Sequence, residues 1–174
     1  MSTWALVGSP NAGKTTLYNW LTGARSKVVN YPGATVEYSL GQLRPQLSEK
    51  IGNISVQVID TPGVYSLNPQ SDDEKVTYET LFKSRLSTPI DGVLVITDGL
   101  QLNRHLVLAE QLKESGYPVI LVITMMDLLE REGKRLDLDF LKQELGMPVV
   151  MFDGILGRGL DHLLLLLKNF QSSP

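Results

Sequence analysis

The chain has 174 residues, 43% hydrophobic and 20% charged, a balance that suits one globular domain with a substantial core and excludes disordered, fibrous and disulfide-rich classes. Its 16 Lys and Arg against 19 Asp and Glu leave a formal charge of -3 with the basic residues scattered, so no nucleic-acid partner is expected and any affinity for phosphate is local. Cysteine is absent, which excludes thiolate chemistry and Cys-ligated metal, and apolar runs such as 163–167 fall far short of the roughly 20 residues that span a bilayer, so the stretch reads as soluble.

Along the chain, short runs rich in Val, Ile and Leu at 5–7, 54–59, 93–97, 119–123 and 149–152 predict buried strands. Between them, apolar residues recur at helical spacing over 15–21, 74–85, 102–115, 138–145 and 160–170. Segment 38–43 alternates instead, and predicts a single antiparallel edge strand. Alternation of strand and helix implies parallel strands joined by right-handed crossovers. The expected architecture is therefore α/β: a mostly parallel six-stranded sheet with one antiparallel edge strand, helices on both faces, and ligands at the carboxyl ends of the strands. Residues 1–170 read as one domain and 171–174 as a tail or cut end.

The strongest chemical signal is Gly8-Ser9-Pro10-Asn11-Ala12-Gly13-Lys14-Thr15, which fills every fixed position of the phosphate-loop pattern. It stands directly after a strand and before a helix whose amides and dipole attract phosphate oxygens. Gly8 and Gly13 let the backbone turn and approach phosphate, Lys14 supplies a cation for the outer phosphates, and the Thr15 hydroxyl suits magnesium.

Asp60-Thr61-Pro62-Gly63 follows the buried strand 54–59, so Asp60 emerges beside the phosphate loop. Read alone it is also a common turn; after a phosphate loop it becomes the metal side of the site, with Asp60 orienting magnesium waters and the Gly63 amide facing the terminal phosphate. Between the two motifs, Asn30-Tyr31-Pro32-Gly33-Ala34-Thr35 is a polar loop carrying a further magnesium candidate, Thr35, and is a candidate two-state switch. Thr124-Met125-Met126-Asp127 ends the strand 119–123, where a base-binding loop belongs. Asp127 can accept two hydrogen bonds from guanine that adenine does not offer; helix capping is its alternative role. Gly154-Ile155-Leu156 follows the last strand and offers backbone amides to the guanine carbonyl oxygen. His105 and His162, on expected helices without partner motifs, read as surface residues.

With these pieces in this order, the chain resembles the translation-factor-related P-loop GTPases, and most closely the cytosolic G domain of the ferrous iron transporter B (FeoB) family. The resemblance covers nearly the whole chain and is carried by Gly8 to Thr16, by Asn30 to Glu37, and by Asp60 to Leu67 as Asp-Thr-Pro-Gly-Val-Tyr-Ser-Leu. It implies GTP and GDP as ligands with Mg2+, and slow GTP hydrolysis that regulates ferrous iron uptake. The setting it implies is the cytoplasmic face of the inner membrane, where a helical domain and a membrane pore follow in the same polypeptide and the transporter provides a route to oligomers. It also implies that Asn11 helps hold a potassium ion in place of an arginine finger, and that Thr16, Gly33, Ala34, Thr61 and Pro62 line the nucleotide. Lys14, Asn11, Thr35 and Gly63 then carry the catalysis. There are two departures. Thr124 stands where most GTPases place an asparagine that bonds both the base and the phosphate loop, and Val64 stands where many place a water-orienting glutamine. A soluble ribosome- or tRNA-linked GTPase, and a nucleotide switch with negligible turnover, are the alternatives.

Overall fold

The computed structural model describes residues 1–30, 36–65, 67–68, 70–82 and 89–171. In chain order the elements are β1 (Ser2–Gly8), α1 (Lys14–Thr22), β2 (Ser26–Asn30), β3 (Glu37–Gln42), α2 (Pro45–Lys50), β4 (Val56–Asp60), α3 (Asp72–Phe82), β5 (Gly92–Asp98), α4 (Leu102–Glu114), β6 (Val119–Thr124), α5 (Met126–Arg131), α6 (Leu138–Leu145), β7 (Val149–Met151) and α7 (Leu160–Gln171). The strands form one sheet in the order β2-β3-β4-β1-β5-β6-β7.

The α/β architecture is the expected one, with two corrections at its edge. The sheet has seven strands rather than six, and β3, the strand that runs against its neighbours, lies second from the edge because β2 pairs outside it. β2 escapes the sequence pattern because Ser-Lys-Val-Val-Asn has only two apolar residues, and Val28 is more than half exposed. A strand with one unpaired edge and little burial carries almost no hydrophobic signature. The expected helix 74–85 is seen as α3 to Phe82; residues 83–85 lie outside the described residues.

The central strands are buried on both faces, which is why they read as continuous apolar runs. Period-two alternation splits their side chains between two cores. Trp4, Leu6, Leu94, Ile96, Ile120 and Val122 meet α1, α2 and α7 on one face. Ala5, Val7, Val93, Val95, Leu121 and Ile123 meet α3, α4 and α6 on the other. The helix after β1 covers one face and the helix after β5 the opposite one, although β1 and β5 are neighbours. This divergence opens a crevice at their carboxyl ends, the position where open α/β sheets bind ligands. Register brings the chemistry to that rim: Leu6 pairs with Asp60, Gly8 with Ile96, Asp98 with Thr124, and Ile123 with Met151.

Candidate functional site

The loop from Gly8 to Thr15 wraps the start of α1. Asn11 and Gly13 take left-handed conformations, φ 63° and 94°, on either side of buried Ala12. Such alternation turns successive amides inward and builds a concave anion seat at a helix N-terminus. Leu17 N donates to Gly13 O at 3.0 Å, which closes the first helical turn. Lys14 is only 8% exposed, and its ammonium donates to Ser9 O at 3.2 Å, leaving further protons for a ligand.

Asp60, at the end of β4, faces that loop. Its Oδ2 accepts from Thr15 Oγ1 at 3.2 Å, whereas Oδ1 is buried without a hydrogen-bond partner. Burial pushes the Asp60 carboxyl above its ordinary value, opposed by the Lys14 ammonium and the Thr15 hydroxyl. Burial also pulls Lys14 below the usual lysine range, opposed by Asp60. Two opposite charges with thin solvation and an orphaned carboxylate oxygen suit a bound cation and anion together, and a magnesium ion's need for oxygen ligands fits Thr15 and Asp60.

The loop after Asp60 is held at several points. Thr61 Oγ1 donates to Leu6 O (2.7 Å), Thr77 Oγ1 to Pro62 O (3.1 Å) and Val64 N to Gly8 O (2.8 Å). Gly63 lies against Pro10, where a Cβ would come within 2.7 Å of the proline ring. Val64 is 1% exposed and packs into the core, so its side chain is absent from the site altogether. Buried Glu74 was not foreseen as part of this loop; it accepts from Tyr65 N at 3.3 Å and Gln70 N at 2.7 Å. Its sequence signal was the capping-box spacing Ser71-x-x-Glu74 at the start of α3, where Ser71 Oγ accepts from Glu74 N.

Thr124 reaches the phosphate loop. Its Oγ1 lies 2.7 Å from Ala12 O and 3.2 Å from Thr97 O; one hydroxyl proton serves one of these at a time, and the shorter contact is with the loop. Thr124 therefore preserves the loop tether that the departure from asparagine had placed in question. Met125 takes a left-handed turn, φ 55°, into α5. Asp127 sits inside the first turn of α5, its side chain 59% exposed and 3.7 Å from Arg131, and α5 has no side-chain cap, so capping is not its role. In the loop after β7, Asp153 Oδ1 accepts from Ile155 N (2.8 Å) and Leu156 N (3.0 Å). Those two bonds hold the Asp153 carboxyl below its ordinary value, so it stays ionised and keeps both amides. Of the three amides expected to read a base oxygen, only that of Gly154 is left without a hydrogen bond among the described residues.

The candidates Gly33, Ala34 and Thr35 lie outside the described residues. Gly8, Ser9, Pro10, Asn11, Ala12, Gly13, Lys14, Thr15 and Thr16 meet Asp60, Thr61, Pro62 and Gly63 on one rim, with Thr124, Met125 and Asp127 farther along it.

His105 is a correction: it is fully buried rather than on the surface, with Nδ1 2.8 Å from Thr97 Oγ1 and its ring stacked on Tyr65. Burial lowers its pKa and favours the neutral ring. The signal was its spacing from Leu102, Leu108 and Leu112 on the apolar stripe of α4. His162 is exposed, as expected.

The sequence profile of the family described as ferrous iron transport protein B matches residues 2–166. An Fe(2+) transporter FeoB of Leptospira biflexa is 37% identical over 167 residues, covering 96% of this chain and 23% of that protein. The chain spans only about a fifth to a quarter of the length of the curated relatives it matches. The crystal structure of the G domain of T. maritima FeoB superposes with a TM-score of 0.85 at 33% identity, covering 99% of both chains. A mutant of S. thermophilus NFeoB, solved bound to GDP, gives 0.83 at 35% identity over 99% of this chain and 63% of that one. With a match along nearly its whole length, and with the phosphate loop, Asp60 and Thr124 gathered at one rim of the sheet, the chain belongs to the ferrous iron transport protein B family.

Proposed function

We propose that residues 1–170 are a G domain that binds GTP and GDP with magnesium and hydrolyses GTP slowly, and that it serves as the regulatory cytosolic part of a ferrous iron transporter. The observation that carries the reading is the meeting of Lys14, Thr15 and the half-orphaned Asp60 at the mouth of the phosphate loop, with the loop tied to Thr124 of the base motif. Backbone amides of the loop 8–16, led by those of Gly13, Lys14, Thr15 and Thr16 at the start of α1, cradle the phosphates and Lys14 meets the outer ones. Thr15 and Thr35 would hold a magnesium ion with Asp60 orienting its waters, and such an ion would supply positive charge against the outer phosphates. Gly63 presents its amide to the terminal phosphate, with Thr61 and Pro62 fixing the turn. Asp127 reads the guanine N–H groups, Met125 shapes the turn before it, and Gly154 offers its amide to the guanine oxygen, beside Ile155 and Leu156.

Slow turnover follows from Val64, which is buried and has no group to orient water. The exposed, left-handed Asn11 stands at the loop's outer edge, where a potassium ion held by its side chain would supply the missing positive charge. Iron handling, the helical domain and the membrane pore belong to the rest of the polypeptide; no helix among the described residues is long and apolar enough to cross a membrane, and no cluster of three potential metal-ligating side chains occurs among them.

Phosphate release from Mg-GTP, measured in potassium and in sodium, tests this mechanism. Turnover is expected to be about tenfold or more faster in potassium, up to the roughly 10³–10⁵ that a positive finger provides. Equal rates would remove the role of Asn11, and no release above the buffer rate in either salt would make the domain a binding switch.

A further inference from the structure

The base end of the site is carried by the phosphate-binding helix through a residue that neither motif contains. Trp20 lies on α1, one turn beyond Thr16, so the two share a helix face. The Trp20 indole Nε1–H donates to Gly154 O at 2.8 Å. The Thr16 methyl supports the same residue from below, since a Cβ on Gly154 would lie 2.9 Å from it. The Trp20 ring is itself fixed: a Cβ on Gly157 would come within 2.7 Å of it, and the Arg44 guanidinium carbon lies 5.7 Å from its centroid.

Glycine at 154 leaves the backbone unusually free, which is a poor property for a donor that must be aimed. That freedom is removed from both sides: the peptide that carries the Gly154 N–H is held through Asp153 O, which accepts from Gly157 N at 2.8 Å, and the next peptide is held at Gly154 O by Trp20 and at Ile155 N by Asp153. Leu156 N and Gly157 N are also engaged inside the loop, on Asp153 Oδ1 and Asp153 O. Among the amides of residues 154–157, that of Gly154 alone has no hydrogen bond to the described residues.

We propose that Trp20 is a positioning residue for guanine recognition: its indole N–H holds the peptide after Gly154 while Gly157 N holds the peptide before it, so that the Gly154 N–H between them is aimed at the 6-oxygen of the base, and the helix that receives phosphate thereby also sets the base-reading loop. The inference rests on the guanine reading given above.

The test is titration calorimetry with GDP and with 6-thioguanosine diphosphate, whose sulfur is a weaker acceptor at the position Gly154 reads. Trp20→Phe keeps an aromatic ring and removes the donor. It is expected to weaken GDP binding about fivefold, the loss of one well-placed hydrogen bond, while the thio analogue changes less than about twofold, so that the preference for GDP narrows. A purely structural tryptophan would weaken both nucleotides alike or neither, and either result overturns the proposal. If Trp20→Phe does not fold, Gly157→Ala displaces the indole from its other side and is expected to narrow the same ratio; an unchanged ratio there overturns it too. ADP bound by the unaltered protein as tightly as GDP would remove the guanine reading itself, a failure distinct from an unchanged ratio in a protein that does prefer GDP.

Discussion

Lys14→Ala is expected to lose tight triphosphate binding, with affinity for Mg-GTP falling about a hundredfold or more, while the folded state persists with little change in stability. The two halves of this expectation have one cause. In the protein alone, the buried Lys14 ammonium donates to a single carbonyl oxygen and is attracted by the charge of Asp60, and burial already works against its own charge. A buried cation so thinly paired adds little to folding: its removal relieves its own desolvation, and Asp60, whose carboxyl burial already pushes above its ordinary value, takes up a proton more readily instead of standing as an unpaired buried charge. With phosphate bound, the same ammonium makes charge-assisted hydrogen bonds in a dry site, each contributing about 1.5–3 kcal/mol. Calorimetry and denaturant unfolding of the same variant separate the effects. Unchanged affinity sinks the phosphate-loop assignment, whereas a collapse of stability shows that Lys14 serves the fold first.

Gly8→Ala is expected to destabilise the domain by about 3 kcal/mol or more and to weaken nucleotide binding with it. A Cβ at Gly8 would lie 2.1 Å from the carbonyl oxygen of Ile96, the residue paired with Gly8 across β1 and β5. Both strands are buried along their whole length, so neither backbone can give way cheaply. Gly8 O also receives Val64 N, so any shift of β1's end moves the loop proposed to face the terminal phosphate. The denaturation midpoint of Gly8→Ala reports the effect, and a midpoint equal to that of the unaltered protein would mean that the two strand ends do not pack as described.

Much of this site is legible in the amino-acid order because its chemistry is local. A phosphate loop works through backbone amides and a helix start, so the glycines, Lys14 and Thr15 must be contiguous, and an aspartate at the end of a buried strand is delivered to the same rim by parallel topology. The fold followed for the same reason, since strands buried on both faces announce themselves as apolar runs. What was not legible depends on contacts between distant segments or on edges. β2 is too short and too exposed to leave a pattern. Thr124's bond to Ala12 spans 112 residues, so its substitution for asparagine looked like a loss when the tether is in fact retained. Trp20 reaches Gly154 across 134 residues, and an isolated tryptophan on a helix gives no hint of it. Two residues carry a legible local signal: His105, whose place on the apolar stripe of α4 outweighs its polarity and buries it, and Glu74, by its capping-box spacing.

This rim is proposed to bind a guanine nucleotide through phosphate and base together. The most direct measurement is the affinity of the chain for Mg-GTP against Mg-ATP under one set of conditions. Asp127 and the Gly154 amide, the proposed base readers, would lose their partners when adenine replaces guanine, and each group left unpaired costs about 1–3 kcal/mol. GTP is therefore expected to bind at least about tenfold more tightly than ATP. Equal affinities would contradict the base assignment while leaving the phosphate loop intact, and binding of neither would contradict the account as a whole.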